Sequence, residues 1–439
     1  MKQILTIIII FTSALCNAQN QTGELKLTRA EAIKTGLKNR YDIKAAQFAV
    51  KIAETEIKQT RNSWLPEING QGSVKHSPQL QNSVIPGGVL PGFDEAALVP
   101  LTVKNEGVFG LSLNQPIFNS NLINDVKLSK NRLAIEHEKT REDEINITLQ
   151  ISQSYLNVQL RDLQMRIASD IAVRNSEYAS IAEGMYKNGS LIENHYLRAQ
   201  LDRDNAKQTY QQSAQDYALS LLQLRYQLNL PEATVIEISD SIDAPENVLE
   251  VWENKAGERT EVRQLKLQQQ QDRLYLTRYQ QSFMPSVSFS ANYSQQFLSD
   301  RFNYGAGKWW SPYSYVALNI NIPISAHFKN KPKVVEYQLR ISQNELLLNQ
   351  KQADINYEIQ QARTSLSNAL SNIKSTRSSY ELSKTVFHNQ QQQYRLGAFA
   401  YSELIDTEKS LSVTERNYIQ SAYELMLAQI KLQKATNNF

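Results

Sequence analysis

Two segments in the second half of the chain alternate between an apolar and a polar face. Within residues 286–297, apolar side chains alternate with serine and asparagine from Ser286 to Ser294, and within residues 313–323 the alternation runs from Val316 to Ile322. A third segment, 107–116, has the same period of two, whereas a fourth, 67–76, is weaker because two glycines replace apolar residues. One apolar and one polar face is typical of a half-buried β-strand. We therefore predict four strands over these ranges.

The stretch between residues 325 and 395 has the periodicity of a coiled-coil helix. Its apolar residues recur mostly at alternating spacings of four and three, with alanine where helices approach closely; they are Ile355, Ile359, Ala362, Leu366, Ala369, Ile373 and Tyr380. Such a helix would reach about 100 Å. An earlier helix begins at a capping box from Thr28 to Glu31 and is predicted to run to about Trp64, before Pro66.

Prolines and glycines punctuate this pattern in the same order in both halves of the chain. The first set is Pro66, Pro116 and Gly189, and the second is Pro285, Pro323 and Gly397. The proline-to-glycine gaps are 73 and 74 residues, whereas the proline-to-proline gaps are 50 and 38, so the copies differ mainly by one insert. Because internal repetition indicates duplicated structural units, we predict two repeats, 19–230 and 260–439. A small mixed segment, 231–259, connects them, and the loop 76–106 is expected to be exposed and mobile.

The first 18 residues have the pattern of a secretory signal peptide. Lys2 precedes a short apolar run, and the small residue Ala18 closes it. The run is too short for a membrane-spanning helix, although a retained anchor is the alternative interpretation. Leu15 disfavours lipidation of Cys16, the only cysteine, so cleavage after Ala18 would leave no thiol for disulfides or metal sites.

Composition argues against nucleic-acid binding and against catalysis. The 47 basic residues nearly balance the 44 acidic ones, so the chain lacks the excess of positive charge that is typical of nucleic-acid-binding proteins. The five histidines are scattered, and no metal-ligand spacing, nucleophile elbow or phosphate-binding loop is present. We predict a protein that is not an enzyme and that needs no cofactor or metal.

Four strands with one apolar face cannot close a barrel, which needs about eight strands, so several copies would have to contribute. A soluble sandwich is an equally good interpretation of the strands alone. The signal peptide, the polar helices and aromatic residues at both ends of the strands favour a membrane barrel. Those aromatics are Trp309, Trp310, Tyr313 and Tyr315 at one end, and Trp64, Phe118 and Phe283 at the other.

This doubled plan resembles the TolC-type outer-membrane efflux proteins. The motifs that carry the resemblance are Leu-Pro and Met-Pro before the first strands, Asn-Gln-Pro-Ile-Phe at the end of a return strand, and Tyr-x-x-Gly before the last helix of each half. The resemblance implies a mainly α fold with a β-barrel part, in which a homotrimer builds a twelve-stranded barrel and a long α-helical tunnel. It also implies the outer membrane of a Gram-negative bacterium, a periplasmic adaptor and an inner-membrane pump driven by protons or ATP.

A glycine at a helix C-terminus adopts the left-handed conformation that ends the helix. Gly189 and Gly397 are therefore predicted to reverse the chain at the tip of the long helices. By resemblance, these turns dock the adaptor, with Ser190 and Leu191 in one turn and Leu396, Ala398 and Phe399 in the other. A plain interhelical turn without a partner is the alternative.

Glu403 and Asp406 lie three residues apart, hence on one side of the helix that follows the second turn. By resemblance, these acids line the periplasmic entrance together with Tyr394 and Phe399, and around a threefold axis they would form rings that attract cations. A solvated helix face favoured by the helix dipole is the alternative. In the first copy, His195 and Arg198 occupy the matching region. By resemblance, polar links between copies can hold the tip closed, so we hypothesise that His195 faces an acid of another copy and that its protonation alters this gate.

The sequence thus predicts a passive outer-membrane exit duct of a tripartite efflux pump. The outer-membrane component of a type I secretion system is an alternative with the same fold. A periplasmic coiled-coil adaptor or scaffold would share the leader and the helices but would not need the matched hairpins. An autonomous porin would need more strands and no helices of such length.

Overall fold

The computed structural model describes residues 24–89, 91–92, 94–240, 255–396 and 400–439. The predicted signal peptide, the middle of the predicted connecting segment, and the predicted turn residues Gly397, Ala398 and Phe399 lie outside the described residues. The chain divides into two compact units. The first comprises Met1–Phe48, His137–Gln264 and Leu348–Phe439, and the second comprises Ala49–Glu136 and Leu265–Leu347.

Long helices dominate the described part of the chain. The helices are α1 (Arg29–Asn39), α2 (Tyr41–Asn62), α3 (Ser120–Lys187), α4 (Glu193–Leu228), α5 (Thr260–Gln280), α6 (Ala326–Arg395) and α7 (Tyr401–Ala435). The strands are β1 (Glu24–Leu27), β2 (Glu67–His76), β3 (Asn82–Ile85), β4 (Ala97–Pro100), β5 (Asn105–Phe118), β6 (Val235–Ile238), β7 (Ser286–Ser299) and β8 (Trp310–Asn321). None of the described helices has a stretch long and apolar enough to cross a membrane.

The coiled-coil seam predicted for α6 is confirmed in the first unit. Three of its residues are buried with α5 and α7 in one cluster, Ile355, Ile359, Ala362, Val262, Leu432 and Ala435. Two more are buried against α7 in the next cluster, Ala369, Ile373, Ala422, Leu425 and Ala428. Because the seam is narrow and alanine-rich, the helices approach closely along one stripe while their other sides stay polar.

The prediction of one helix from Thr28 to Trp64 is wrong, because the chain breaks at Arg40. The capping box itself is present, since the Glu31 amide donates to the Thr28 hydroxyl oxygen and the Thr28 amide donates to the Glu31 carboxylate. At Arg40 the backbone is extended, with φ −61° and ψ 136°. Its guanidinium donates to Asp42 (Nη2···Oδ2 2.6 Å) and to Gln227 of α4 (Nη1···Oε1 2.5 Å). Contacts with a distant helix therefore set this break, and the local sequence gives no signal for it.

A short parallel pair of strands was not predicted. β1 pairs with β6 from Glu24 opposite Val235 to Leu27 opposite Ile238. The Tyr155 hydroxyl of α3 donates to the Leu27 carbonyl (2.9 Å), which ties this pair to the helices of the first unit.

The four predicted strands form one antiparallel sheet in the second unit, in the order β2-β5-β7-β8. The strands extend up to three residues beyond the predicted ranges, except that β8 ends at Asn321 rather than at residue 323. Cross-strand partners keep apolar residues together on one side, where Leu111 lies opposite Tyr293 and Phe289 opposite Leu318. Those side chains are exposed, as are others on the same side, namely Ile68, Val316 and Ile320.

The loop 76–106, expected to be exposed and mobile, contains an additional hairpin. β3 and β4 pair antiparallel, with Val84 opposite Leu98 and Ile85 opposite Ala97. Proline and glycine interrupt the alternation around these short strands, which is why the sequence pattern did not reveal them.

Candidate functional site

The turn after α3 is a glycine-terminated helix end. Gly189 has a φ of +70°, in the left-handed region. Its amide donates to the Tyr186 carbonyl (3.0 Å), and the Ser190 amide donates to the Met185 carbonyl (2.9 Å). These are the two bonds of the Schellman motif, which satisfies carbonyls at the end of a helix. The conformation predicted for Gly189 is therefore confirmed, whereas its part in docking a partner stays a prediction.

The other turn residues differ in exposure. Ser190 is exposed, whereas Leu191 is half-buried and packs against the apolar cluster below the turn. Leu396 is 84% exposed and directly follows the last residue of α6. Exposed side chains on a helix reversal are available to a partner, and in the described parts of the turns these include two apolar ones, Leu396 and Ile192, which is 65% exposed.

Four helices meet in an aromatic cluster close to the turns. The Tyr178 ring of α3 lies 6.2 Å from Tyr394 of α6 and 6.4 Å from Tyr401 of α7, measured between ring centroids. Tyr186 and Tyr196 stack at 5.2 Å across the first turn. Burial raises the pKa of Tyr394 and Tyr401. Tyr394 therefore packs the helices together, and its predicted part in selectivity stays a prediction.

The two predicted acids lie on the exposed side of the first turns of α7. Glu403 has no ion-pair partner within the described part of the chain. Asp406 lies 4.0 Å from Arg198 of α4 (Oδ1···Nη2), and both side chains are largely exposed. Exposed pairs at this distance contribute little to stability, yet a nearby cation offsets part of the negative charge of Asp406. Glu403 is thus the acid with the less compensated charge.

A second acid, Asp202 of α4, lies between Arg198 of its own helix and a lysine of α7. The Arg198 Nε lies 4.0 Å from Asp202 Oδ2, and Lys409 Nζ of α7 lies 3.9 Å from Asp202 Oδ1. Alternating charges therefore join α4 to α7. His195 is half-buried one turn earlier, and it forms no ion pair with an acid of its own chain in the described ranges. The hypothesis that His195 faces an acid of another copy stays a prediction.

Sequence reasoning missed a buried ion pair close to Glu403 and Asp406 in α7. Arg174 of α3 donates to Glu408 of α7 (Nε···Oε1 2.8 Å), whose side chain is 4% exposed. Asn175 Nδ2 lies 3.4 Å from the other carboxylate oxygen, and the guanidinium lies over the Phe387 ring of α6 at 5.7 Å. Burial raises the pKa of the Glu408 carboxyl, and the Arg174 guanidinium acts in the opposite direction. One arginine thus joins three helices.

The position of Glu408 in α7 indicates from sequence alone that its side chain is buried. Glu408 follows Leu404 by four residues and precedes Leu411 by three, the spacing of the buried stripe. A carboxylate on that stripe must find a partner, because an unpaired buried charge is costly. The partner lies 234 residues away, so local spacing could not identify Arg174.

No cluster of three or more potential metal ligands occurs among the residues that the structure describes.

Comparison with known proteins finds a matching family model and similar curated relatives. The family model described as "Outer membrane efflux protein" matches residues 32–240. The cation efflux system protein CusC of Escherichia coli O157:H7 is 23% identical over 414 residues, which cover 92% of this chain and 84% of the relative. CusC of strain K12 is also 23% identical, over 415 residues.

Solved structures share the architecture at low identity. A crystal structure of CusC aligns with a TM-score of 0.73 at 19% identity, covering 95% of both chains. The open state of the Neisseria gonorrhoeae MtrE outer membrane channel aligns with a TM-score of 0.74 at 15% identity, covering 93% of this chain and 88% of that one. The Campylobacter jejuni CmeC outer membrane channel gives a TM-score of 0.71 at 14% identity, with 93% and 85% covered. The mainly α fold with a β-barrel part is common to these chains.

Proposed function

Because the chain belongs to the outer membrane efflux protein family, we propose that three copies form the exit duct of a tripartite efflux pump. The duct passes substrate through the outer membrane without catalysis. In this proposal a periplasmic adaptor docks on the helical turns, and an inner-membrane pump supplies the energy.

The observation that carries the proposal is the open sheet. β2 and β8 are its two edge strands, and all ten residues of β2 are exposed. Unpaired edges and an exposed apolar side are unfavourable in water, but both are satisfied when copies join edge to edge inside a lipid bilayer. Strand directions alternate across the sheet, so β8 of one copy runs antiparallel to β2 of the next. Three copies then close a barrel of twelve strands with lipid outside and water inside.

A scaffold or adaptor protein fits these features less well. Its helices would need the coiled-coil seam, but nothing in such a role would use an open sheet with one apolar and one polar side. A type I secretion component would have the same sheet, and the family match favours efflux over that role.

The cargo is proposed to be cationic. The exposed acids Glu403 and Asp406 attract cations, and the relatives from Escherichia coli are named for cation efflux. With five methionines and one cysteine in the whole chain, soft-metal ligands are few, so selectivity would rest on carboxylate charge.

We expect the purified protein to be a trimer that conducts ions across a planar bilayer. Cross-linking in detergent gives the number of copies, and single-channel recording gives the conductance. A monomer that stays soluble without detergent and shows no conductance would contradict the proposed function.

Replacing Glu403 with glutamine should lower the preference of the open channel for cations. The change removes a charge at each of three positions without altering side-chain size, so the reversal potential in a salt gradient should shift toward that of an unselective pore. Asp406→Asn should shift it less, because Arg198 already offsets part of the Asp406 charge.

Arg198→Gln is the matched control, and it should raise the preference for cations. If all three variants keep the reversal potential of the original protein, these side chains do not line the conducting path.

A further inference from the structure

The hairpin β3–β4 leaves the end of the sheet that lies farthest from the helices of the second unit. Its base is fixed by hydrogen bonds. The Ser77 amide donates to the Lys104 carbonyl (2.7 Å), and the Lys104 amide donates to Asp300 (N···Oδ1 3.1 Å). His76 Nδ1 and Asn105 Oδ1 lie 2.8 Å apart across the last pair of β2 and β5. The hairpin therefore stands on a defined base that also involves the end of β7.

One side of the hairpin is apolar and exposed. Val84 and Leu98 lie opposite each other and are 67% and 68% exposed, whereas Ile85 on the other side is buried. The insert that makes the proline-to-proline gap longer in the first repeat falls in this region. Two apolar side chains held side by side on a fixed hairpin are available to a neighbouring surface.

The charges of the hairpin all have one sign. Between residues 77 and 103 the charged side chains are Asp94 and Glu95, and both are exposed. Neither forms an ion pair with another residue in the described ranges of its own chain. The hairpin thus combines an apolar side with two unpaired acids.

The loop between β7 and β8, residues 300–309, has the complementary character. It leaves the same end of the sheet and carries exposed Arg301 and Lys308, while its one acid, Asp300, accepts from the Lys104 amide of its own chain. Phe302 is 77% exposed, while the neighbouring Tyr304 anchors the loop by packing on Phe297 at 4.4 Å. This loop therefore offers one aromatic side chain and two cations on a fixed support.

We propose that the β3–β4 hairpin of one copy docks on the β7–β8 loop of the adjacent copy. Val84 and Leu98 pack against the partner's Phe302, and Asp94 and Glu95 face the cations of that loop. The proposal rests on the proposed trimer, because joining the edge of β2 to the edge of β8 brings the segments that continue these strands side by side. Three such contacts would form a ring around the outer end of the barrel.

Charge reversal tests the polar half of this contact. The variant D94K/E95K should form a trimer that dissociates at a lower temperature, and R301E/K308E should behave alike, because each places like charges face to face. Combining all four changes should restore the dissociation temperature. The docking proposal fails if the original protein is a trimer and the combined variant is no more stable than either parent. If the original protein is not a trimer, the proposed function itself fails.

A disulfide tests which chain supplies the loop. The chain after residue 16 contains no cysteine, so V84C/F302C introduces the only thiols of the mature protein. Under oxidation we expect covalently linked trimers on a non-reducing gel. An internal disulfide that leaves monomers would show that the hairpin docks on its own chain. Free thiols in an intact trimer, the result expected of a hairpin that lies on lipid, would also overturn the proposal.

Discussion

Replacing Arg174 with alanine is expected to lower the free energy of unfolding of the first unit by about 3 kcal/mol at pH 8, and by much less at pH 5. The Glu408 carboxylate is buried, and the guanidinium of Arg174 is its charged partner at 2.8 Å. Removing one member of a buried pair leaves a charge without compensation, which costs several kcal/mol. The carboxyl of the variant can reduce this cost only by binding a proton.

The direction of the pH dependence follows from the pKa of Glu408. Burial already raises that pKa above its ordinary value, Asp202 of α4 raises it further, and Arg174 and Asn175 of α3 lower it. Loss of Arg174 therefore moves the folded-state pKa upward. An acid with a raised folded-state pKa leaves stability intact below the unfolded-state value, and stability is lost as the pH rises through the folded-state value. The Arg174→Ala variant should thus melt at a lower temperature at pH 8 than at pH 5, as circular dichroism at 222 nm would show.

Arg166 in the same helix provides a matched control. It pairs with Asp162 at the same 2.8 Å distance, but its side chain is 70% exposed. Arg166→Ala should cost less than about 1 kcal/mol, because water replaces an exposed partner. In the double variant R174A/E408Q, the extra pH dependence should disappear. Equal melting temperatures for Arg174→Ala and Arg166→Ala at pH 8 would mean that the buried pair contributes no more than an exposed one.

The contrast between these two arginines also shows what the sequence can predict. Periodicity alone predicted the seam of α6 and the four long strands, because an apolar stripe or an alternating strand is a local pattern. It missed β1, β6 and the break at Arg40, since those depend on partners far away in the chain. Glu408 could have been recognised from its seam position, but Arg174 could not.

The candidate site was predicted in a similarly uneven way. The left-handed Gly189 follows from helix-ending chemistry, and the exposure of Glu403 and Asp406 is consistent with their spacing on one helix face. The compensation of Asp406 by Arg198 depends on the packing of α4 against α7, and Tyr394 lies in an aromatic cluster instead of on an open surface. Residue identity predicted charge and conformation, whereas tertiary packing decided which side chains remain free to act.

Replacing Gly110 with alanine is expected to prevent most of the protein from reaching the proposed trimer. Gly110 of β5 lies opposite Ser294 of β7, whose side chain is fully buried. A Cβ at Gly110 would lie 2.6 Å from the Tyr293 carbonyl oxygen and would overlap the Ser294 side chain. The carbonyl belongs to the β7 backbone and cannot move without disturbing the paired strands.

Overpacking of this kind costs about 1–3 kcal/mol at each site, and a trimer would contain three such sites in one barrel. Gly70 of β2 is the matched control, because a Cβ there would meet only Leu111 Cδ2 at 3.8 Å, an ordinary contact. We therefore expect Gly70→Ala to accumulate as trimer in the outer membrane like the original protein, while Gly110→Ala accumulates mainly as unassembled chain. Comparable trimer yields and dissociation temperatures for both variants would mean that β5 and β7 can separate enough to admit a methyl group. The close approach of these two strands would then not be required for closing the barrel.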